Sequence, residues 1–115
     1  MSAIKANQWL NIDGTENYKC RAWVNFINGT GTVAIKSSGN VSSITDNGIA
    51  DYTVNFTTAM QDANYSACIS GTSQIGTNGQ WAGSVEILSM TTTALRVAQP
   101  TTSTDASIVC ASIFR

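Results

Sequence analysis

The feature that most constrains the fold is a regular succession of short alternating segments separated by turn residues. Residues 18–58 contain four such segments, and the turns between them are rich in glycine and asparagine. Side chains on a β-strand point to opposite faces in turn, so a period of two predicts a half-buried strand. The apolar positions of the first segment are Cys20, Ala22, Val24 and Phe26. Those of the last segment are Tyr52, Val54 and Phe56.

Similar segments recur about every 10 residues along the rest of the chain, which is typical of all-β sandwiches and barrels. We therefore predict an all-β fold, an antiparallel, jelly-roll-like β-sandwich of about eight strands. The candidate strands are residues 8–12, 18–26, 32–37, 41–45, 51–58, 65–70, 81–88, 91–98 and 107–114. The last is apolar on both faces, which predicts a central strand covered on both sides.

A chain of 115 residues fits one domain with a core of its own. We divide it into an N-terminal arm that anchors the protein, residues 1–17, and a sandwich domain, residues 18–115. The longest predicted loop, residues 71–80, is rich in glycine and would face outward together with residues 101–105.

Charge and residue chemistry exclude several classes of function. Only 11% of the residues are charged and the net charge is −1, so no basic stripe could bind nucleic acid or an anionic membrane. No apolar run approaches the ~20 residues of a membrane span. Histidine is absent and most of the seven carboxylates lie in or beside turns. We therefore expect no catalytic residues, no metal and no cofactor, which disfavours an enzyme such as a polysaccharide depolymerase.

Three cysteines, Cys20, Cys68 and Cys110, lie within predicted strands. The odd number, the wide spacing and the lack of histidine disfavour a zinc site. We expect them to be buried free thiols that pack as small hydrophobes. The alternative is one disulfide with a third thiol left over.

The aromatic residues give the candidate contact sites. Tyr52, Phe56, Tyr65, Phe26 and Phe114 occupy positions that predict core packing. Trp81 lies at the end of the long loop near Asn78 and Gln80, a combination that can stack on and hydrogen-bond to sugar rings, although a tryptophan there can also simply anchor the loop. Trp9, Leu10 and Trp23 lie outside the core pattern and are candidate assembly contacts.

Several strings in the chain closely resemble a C-terminal domain of bacteriophage tail-fibre proteins and related virion structural proteins, often from marine phages or cyanophages. The strings are CRAWVNF, GTGTVAI, NVSSITDNG, DYTVNFTT and the closing ASIFR, and the resemblance covers roughly residues 18–115. It implies a β-rich, commonly homotrimeric module of a virion appendage that is exposed for host attachment. It carries over no catalytic residue. Ile27 interrupts the pattern as an inserted residue, and Ile49 and Ala50 replace its usual threonine and glycine.

The resemblance implies a non-enzymatic phage virion structural protein, an exposed module of the tail-fibre or receptor-binding type. Its expected partners are further copies of itself in a homotrimer, other virion proteins of the tail or capsid, and a host surface glycan, with no nucleic acid and no membrane insertion. The expected location is the virion surface after synthesis in the host cytoplasm. Because only about 17 residues precede the matched region, the alternative is a capsid decoration (cement) protein that stabilises the phage head.

Overall fold

The computed structural model describes residues 7, 9–15, 18–28, 32–72, 86–98 and 108–115. These residues form eight β-strands and no helix, and hence no helix that is long and apolar enough to cross a membrane. The strands are β1 (Cys20–Ile27), β2 (Ala34–Gly39), β3 (Val41–Gly48), β4 (Asp51–Phe56), β5 (Ser66–Thr72), β6 (Glu86–Met90), β7 (Ala94–Ala98) and β8 (Ile108–Phe114).

The strands form two four-stranded antiparallel sheets, which confirms the predicted β-sandwich. One sheet has the order β2-β1-β8-β5 and the other the order β3-β4-β7-β6. The alternation in the sequence decides which side chains are buried, because the inward positions of each central strand are apolar. The buried residues of these strands are Ala22, Val24, Phe26, Tyr52, Val54, Phe56, Leu95, Val97, Ala98, Val109, Ala111 and Ile113.

Two aromatic pairs join the sheets inside the core. The Phe26 and Tyr52 rings meet edge to face with centroids 5.2 Å apart, and those of Phe56 and Tyr65 do so at 5.8 Å. This is the geometry that aromatic quadrupoles favour. The Tyr65 hydroxyl donates a hydrogen bond to the carbonyl oxygen of Thr91 at 2.9 Å, and burial raises the pKa of this tyrosine. Core packing is therefore confirmed for these four rings.

A single residue, Asn40, carries the chain from one sheet to the other between β2 and β3. Its φ of 56° lies in the left-handed region, which asparagine tolerates better than most residues. Its side-chain amide donates to the carbonyl oxygens of Arg21 and Thr58, each at 3.1 Å, and accepts from the Thr58 N–H at 2.7 Å. The Asn40 side chain therefore fixes the connection between the sheets, because it hydrogen-bonds to the backbone of Arg21 in β1 and of Thr58 just after β4.

The structure corrects two predictions about strands. Residues 8–12 were predicted as a strand, but the described part of this segment has only an isolated bridge at Leu10. A tight turn follows, in which Gly14 has a φ of 88° and Asp13 accepts hydrogen bonds from Thr15. The prediction that Phe114 packs in the core is also wrong, because this residue is 39% exposed.

The expectation that the cysteines are buried is wrong for Cys20 and Cys68, which are exposed, and Cys110 is half-buried. All three are free thiols, as predicted. Cys68 and Cys110 have the strand parity of outward residues, since the inward positions beside Cys110 are Val109 and Ala111. Treating cysteine as a small hydrophobe therefore led to a wrong prediction of burial for residues on the outer face of the sheet.

Candidate functional site

The predicted contact residues do not form one site. Asn78, Gln80 and Trp81, the candidates for ligand contact, lie outside the described residues. Trp9 and Leu10 lie ahead of β1 and are 65% and 49% exposed. Trp23 projects from the outer face of β1 and is 42% exposed, as its position opposite the apolar stripe predicted. Trp9 and Leu10 do not line the surface depression that Trp23 borders.

The outer face of the first sheet forms a continuous surface around Trp23, which we call the tryptophan face. Cross-strand pairs arrange it in rows, with Trp23 beside Ser112 and Ser112 beside Cys68. The next row runs from Asn25 to Cys110 and on to Ser70 in the same way. The tryptophan face consists of Trp23, Asn25, Ile27, Cys68, Ser70, Ile108, Cys110, Ser112 and Phe114. None of these side chains is charged, but the exposed Lys36 lies on the outer side of the neighbouring strand β2.

A shallow depression of about 340 Å³ lies in this face, bordered by Trp23 and Asn25 on β1 and by Cys68 and Ser70 on β5. The Trp23 ring lies across Gly39, its neighbour on β2. A Cβ atom at Gly39 would fall 2.9 Å from Trp23 Cδ1 and nearer still to Nε1. The lack of a side chain at position 39 is therefore what lets the indole approach β2 this closely.

Asn25 holds an unpartnered acceptor in this face. Its Oδ1 atom is buried, and it has no hydrogen-bond partner among the described residues. A buried polar atom without a hydrogen-bond partner is uncommon in a native fold.

The outer face of the second sheet, which we call the polar face, has a different character. Its polar residues are Ser43, Thr45, Asn47, Asp51, Thr53, Asn55, Ser89 and Arg96, and the exposed Leu88 lies beside Ser89 on β6. The Asn55 amide donates to Ser43 Oγ at 3.1 Å and to Thr45 Oγ1 at 3.0 Å. The Asn47 amide donates to Thr53 Oγ1 at 2.7 Å. These side chains satisfy one another across the strands, so this face suits contact with water.

The described carboxylates mainly hold the fold together. Arg96 donates two hydrogen bonds to Asp51, at 2.9 and 2.7 Å, and this guanidinium lowers the pKa of Asp51. Arg115 binds Asp62 in the same two-point manner, at 3.0 and 2.8 Å, and lowers the pKa of Asp62. A carboxylate whose pKa is lowered by an arginine stays ionised at neutral pH and is a poor general acid.

One polar cluster lies inside the sandwich. Asn28 is 1% exposed, and its amide donates to the Tyr52 hydroxyl at 3.2 Å and to Asp46 Oδ2 at 3.4 Å. Its Oδ1 atom has no partner among the residues described. Nowhere in the described ranges do three or more cysteine or acidic side chains group so that they could hold a metal ion. The cluster therefore gives no basis for a metal site.

Sequence reasoning missed most of the tryptophan face, including Asn25, Cys68, Cys110 and Phe114. One signal was available in the apolar character of β8 on both faces, which predicted a strand covered on both sides. Within the described part of the chain, β8 is central, but only its inner face is fully covered, and Ile108, Cys110 and Ser112 on its outer face are half-buried. The sequence of β8 thus predicts that its outer face is buried, but no described residue packs fully over that face.

No known protein family, curated protein or solved structure matches this chain.

Proposed function

We propose that this chain is a non-enzymatic structural protein of a bacteriophage particle, an exposed module of the tail-fibre or receptor-binding type that works as a homotrimer. The observation that carries the proposal is the tryptophan face, on which Trp23 and Phe114 remain 42% and 39% exposed. Large apolar side chains on an exterior sheet surface mark a contact with another molecule. The resemblance of residues 18–115 to phage fibre domains supplies the setting.

The chemistry of the described residues supports adhesion better than catalysis. The chain has no histidine, and Asp51 and Asp62 are engaged by arginines. A glycosidase needs two carboxyl groups that face each other across a cleft, one of them kept protonated near neutral pH. The lowered pKa values of these two aspartates are the opposite of that requirement.

In this proposal the long loop carries the contact with the host. Trp81, with Asn78 and Gln80, would bind a host surface glycan by stacking and hydrogen bonding. The test is adsorption of the purified protein to host cells, compared between the wild type and Trp81→Ala. We expect adsorption by the wild type and its loss in the variant. Failure of the wild type to adsorb to any host surface would contradict the receptor-binding function.

A capsid decoration protein is the second candidate, and the exposed Trp9 and Leu10 favour it. Two large apolar side chains, 65% and 49% exposed ahead of the sandwich, are suited to an arm that inserts between neighbouring capsid subunits. Immunogold labelling of phage particles separates the candidates, because a tail-fibre module is labelled at the tail and a decoration protein over the whole head. Particles that carry no label would contradict both.

A further inference from the structure

We propose that Cys68 and Cys110 form a two-thiolate site for one soft, thiophilic metal ion, of which Cu(I) is the common biological example. The two thiols lie on the neighbouring strands β5 and β8, on the same outer face, and they border the same depression. The ion is identified by the spacing, the number and the softness of these ligands. This inference does not rest on the proposed function, because it concerns only side chains of the first sheet.

The register of β5 and β8 determines the spacing of the two thiols. Cys68 lies opposite Ser112 and Cys110 lies opposite Ser70, so the two cysteines are diagonal neighbours across the strand pair. Diagonal neighbours in an antiparallel sheet have Cα atoms roughly 7–8 Å apart. A disulfide usually needs Cα atoms less than about 7 Å apart, so this spacing is too wide for a direct bond, in agreement with the free thiols of the structure.

The same spacing suits an ion placed between the two sulfur atoms. A thiolate–metal bond of about 2.3 Å gives a sulfur-to-sulfur distance of about 4.6 Å in a linear S–metal–S arrangement. Rotation about χ1 moves each sulfur towards the other strand, so cysteines on diagonal positions can reach that distance. A metal ion therefore bridges a separation that a disulfide does not.

Both thiols are available to an ion. Within the described ranges no hydrogen bond engages the thiol of Cys68 or Cys110, whereas Cys20 Sγ donates to the carbonyl oxygen of Ala22 at 3.1 Å. Cys68 is exposed, and Cys110 is half-buried in the wall of the shallow depression of about 340 Å³. An ion therefore has a path from solvent to both ligands.

The number and kind of ligands select the ion. Among the described residues, no third cysteine or acidic side chain joins Cys68 and Cys110 in a group that could hold a metal. Their cross-strand neighbours Ser70 and Ser112 offer only hydroxyl oxygens, which suit hard ions such as magnesium and calcium. Structural zinc takes four ligands, most of them thiolate or imidazole. Two soft thiolates satisfy Cu(I), which accepts linear coordination, and leave zinc two ligands short.

Binding exchanges protons for the ion. Each thiol releases its proton to water and each thiolate bonds to Cu(I), so two S–H bonds break and two Cu–S bonds form. Copper keeps its oxidation state, and no oxidant or reductant is consumed. The complex carries one negative charge, shared by two sulfur atoms at an exterior face, where water lowers the cost of that charge.

The experiment compares variants that have the same number of thiols in different places. Cys20→Ser keeps the pair, whereas Cys68→Ser keeps Cys20 and Cys110. These two are separated, because Cys20 lies opposite Phe114, about 13 Å along β8 from Cys110. Each protein is titrated without oxygen against the coloured Cu(I) complex of bicinchoninate, and the copper withdrawn from that complex gives the affinity.

We expect Cys20→Ser to bind one Cu(I) per chain. Cys68→Ser should bind Cu(I) at least about 100-fold more weakly, because its second thiolate lacks the high effective concentration of a neighbour on the same sheet. Cys110→Ser, which disrupts the pair from the other strand, should weaken binding to the same extent, and circular dichroism checks that each variant keeps its strands. Equal affinity in Cys20→Ser and Cys68→Ser, or no binding by Cys20→Ser, would overturn the inference.

Two further measurements test the ion and its coordination. X-ray absorption of the Cu(I) complex of Cys20→Ser should show two sulfur neighbours. The same variant should not retain Zn(II) in competition with a chromophoric zinc indicator. Three sulfur neighbours, or zinc bound as tightly as copper, would refute a two-thiolate site.

Discussion

Gly39 gives the sharpest test of the packing on the tryptophan face. Alanine at this position would place its methyl group 2.9 Å from Cδ1 of Trp23 and nearer to Nε1, so the indole must leave its place on the sheet. Because the backbone at Gly39 is not in the left-handed region, the substitution itself introduces no backbone strain. Gly39→Ala therefore tests the contact with the ring alone.

The magnitude follows from the burial of the ring. A tryptophan that is 42% exposed covers on the order of 130 Å² of apolar surface, or about 3 kcal/mol as an upper bound. If a third of that area rests on Gly39, displacing the ring costs about 1 kcal/mol, and an unfavourable side-chain torsion adds about 1 kcal/mol. We expect Gly39→Ala to lower the free energy of unfolding by about 2 kcal/mol. Without the indole, alanine should stabilise the strand by about 0.5 kcal/mol, because it reduces the entropy of the unfolded chain.

The measurement is a double-mutant cycle of Gly39→Ala and Trp23→Ala. Urea unfolding is followed by far-ultraviolet circular dichroism, because tryptophan fluorescence changes with the substitution. All four proteins are compared at one concentration, since self-association makes stability depend on it. We expect a coupling energy of about 2.5 kcal/mol. A coupling below about 0.5 kcal/mol would refute the position of the ring over the glycine.

Three further substitutions test other contacts of the fold. Tyr52→Phe removes the acceptor of the Asn28 amide inside the core and should lower the thermal midpoint by an amount equivalent to about 1–2 kcal/mol. A thermal midpoint equal to that of the wild type would show that the hydrogen bond between Asn28 and Tyr52 does not stabilise the fold. Asn40→Ala loses three hydrogen bonds and strains a positive φ, so it should cost about 2 kcal/mol, and Asn40→Gly, which relieves the strain, should cost less. Equal urea midpoints for the two variants would contradict the role of the backbone conformation. Arginines lower the pKa of Asp51 and Asp62 in the folded state. Each ion pair therefore stabilises the fold fully above the unfolded pKa near 3.8, and this stabilisation is lost as the pH falls through the folded-state pKa. Asp62→Asn should therefore reduce the urea midpoint at about pH 6, and its difference from the wild type should shrink towards about pH 2; a difference that stays constant would contradict the ion pair.

The alternation of apolar and polar residues was sufficient to predict the inner faces of several strands. In β1 and β4 only one face is apolar, so Val24, Phe26 and Tyr52 could be assigned to the core and Trp23 to the exterior. In β8 both faces are apolar, and period two alone cannot say which one meets the other sheet. Phe114 was therefore assigned to the core, although the register places it with the outward residues.

Long-range pairing was the part that the sequence could not predict. The turn residues before Val41 are compatible both with a hairpin and with a passage to the other sheet, and only the pairing of β1 with β2 and of β3 with β4 distinguishes these. The predicted strand at residues 8–12 illustrates the same limit. Its local pattern is strand-like, but a strand needs a partner along its length, and among the described residues of this segment Leu10 alone makes a bridge.

The order β2-β1-β8-β5 has a consequence for how the chain folds during synthesis. Of the eight described strands, β8 is translated last and lies between β1 and β5, and the Arg21 side chain donates a hydrogen bond to the carbonyl oxygen of Arg115, 94 positions away. Until the ribosome has released β8, the neighbouring strands expose unpaired edges that can template aggregation. Such distant pairing also slows folding, because a long loop must close, with a loss of chain entropy, before the stabilising contacts form. Nascent chains stalled before residue 108 should therefore depend on chaperones, and completion of the last strand should end that dependence.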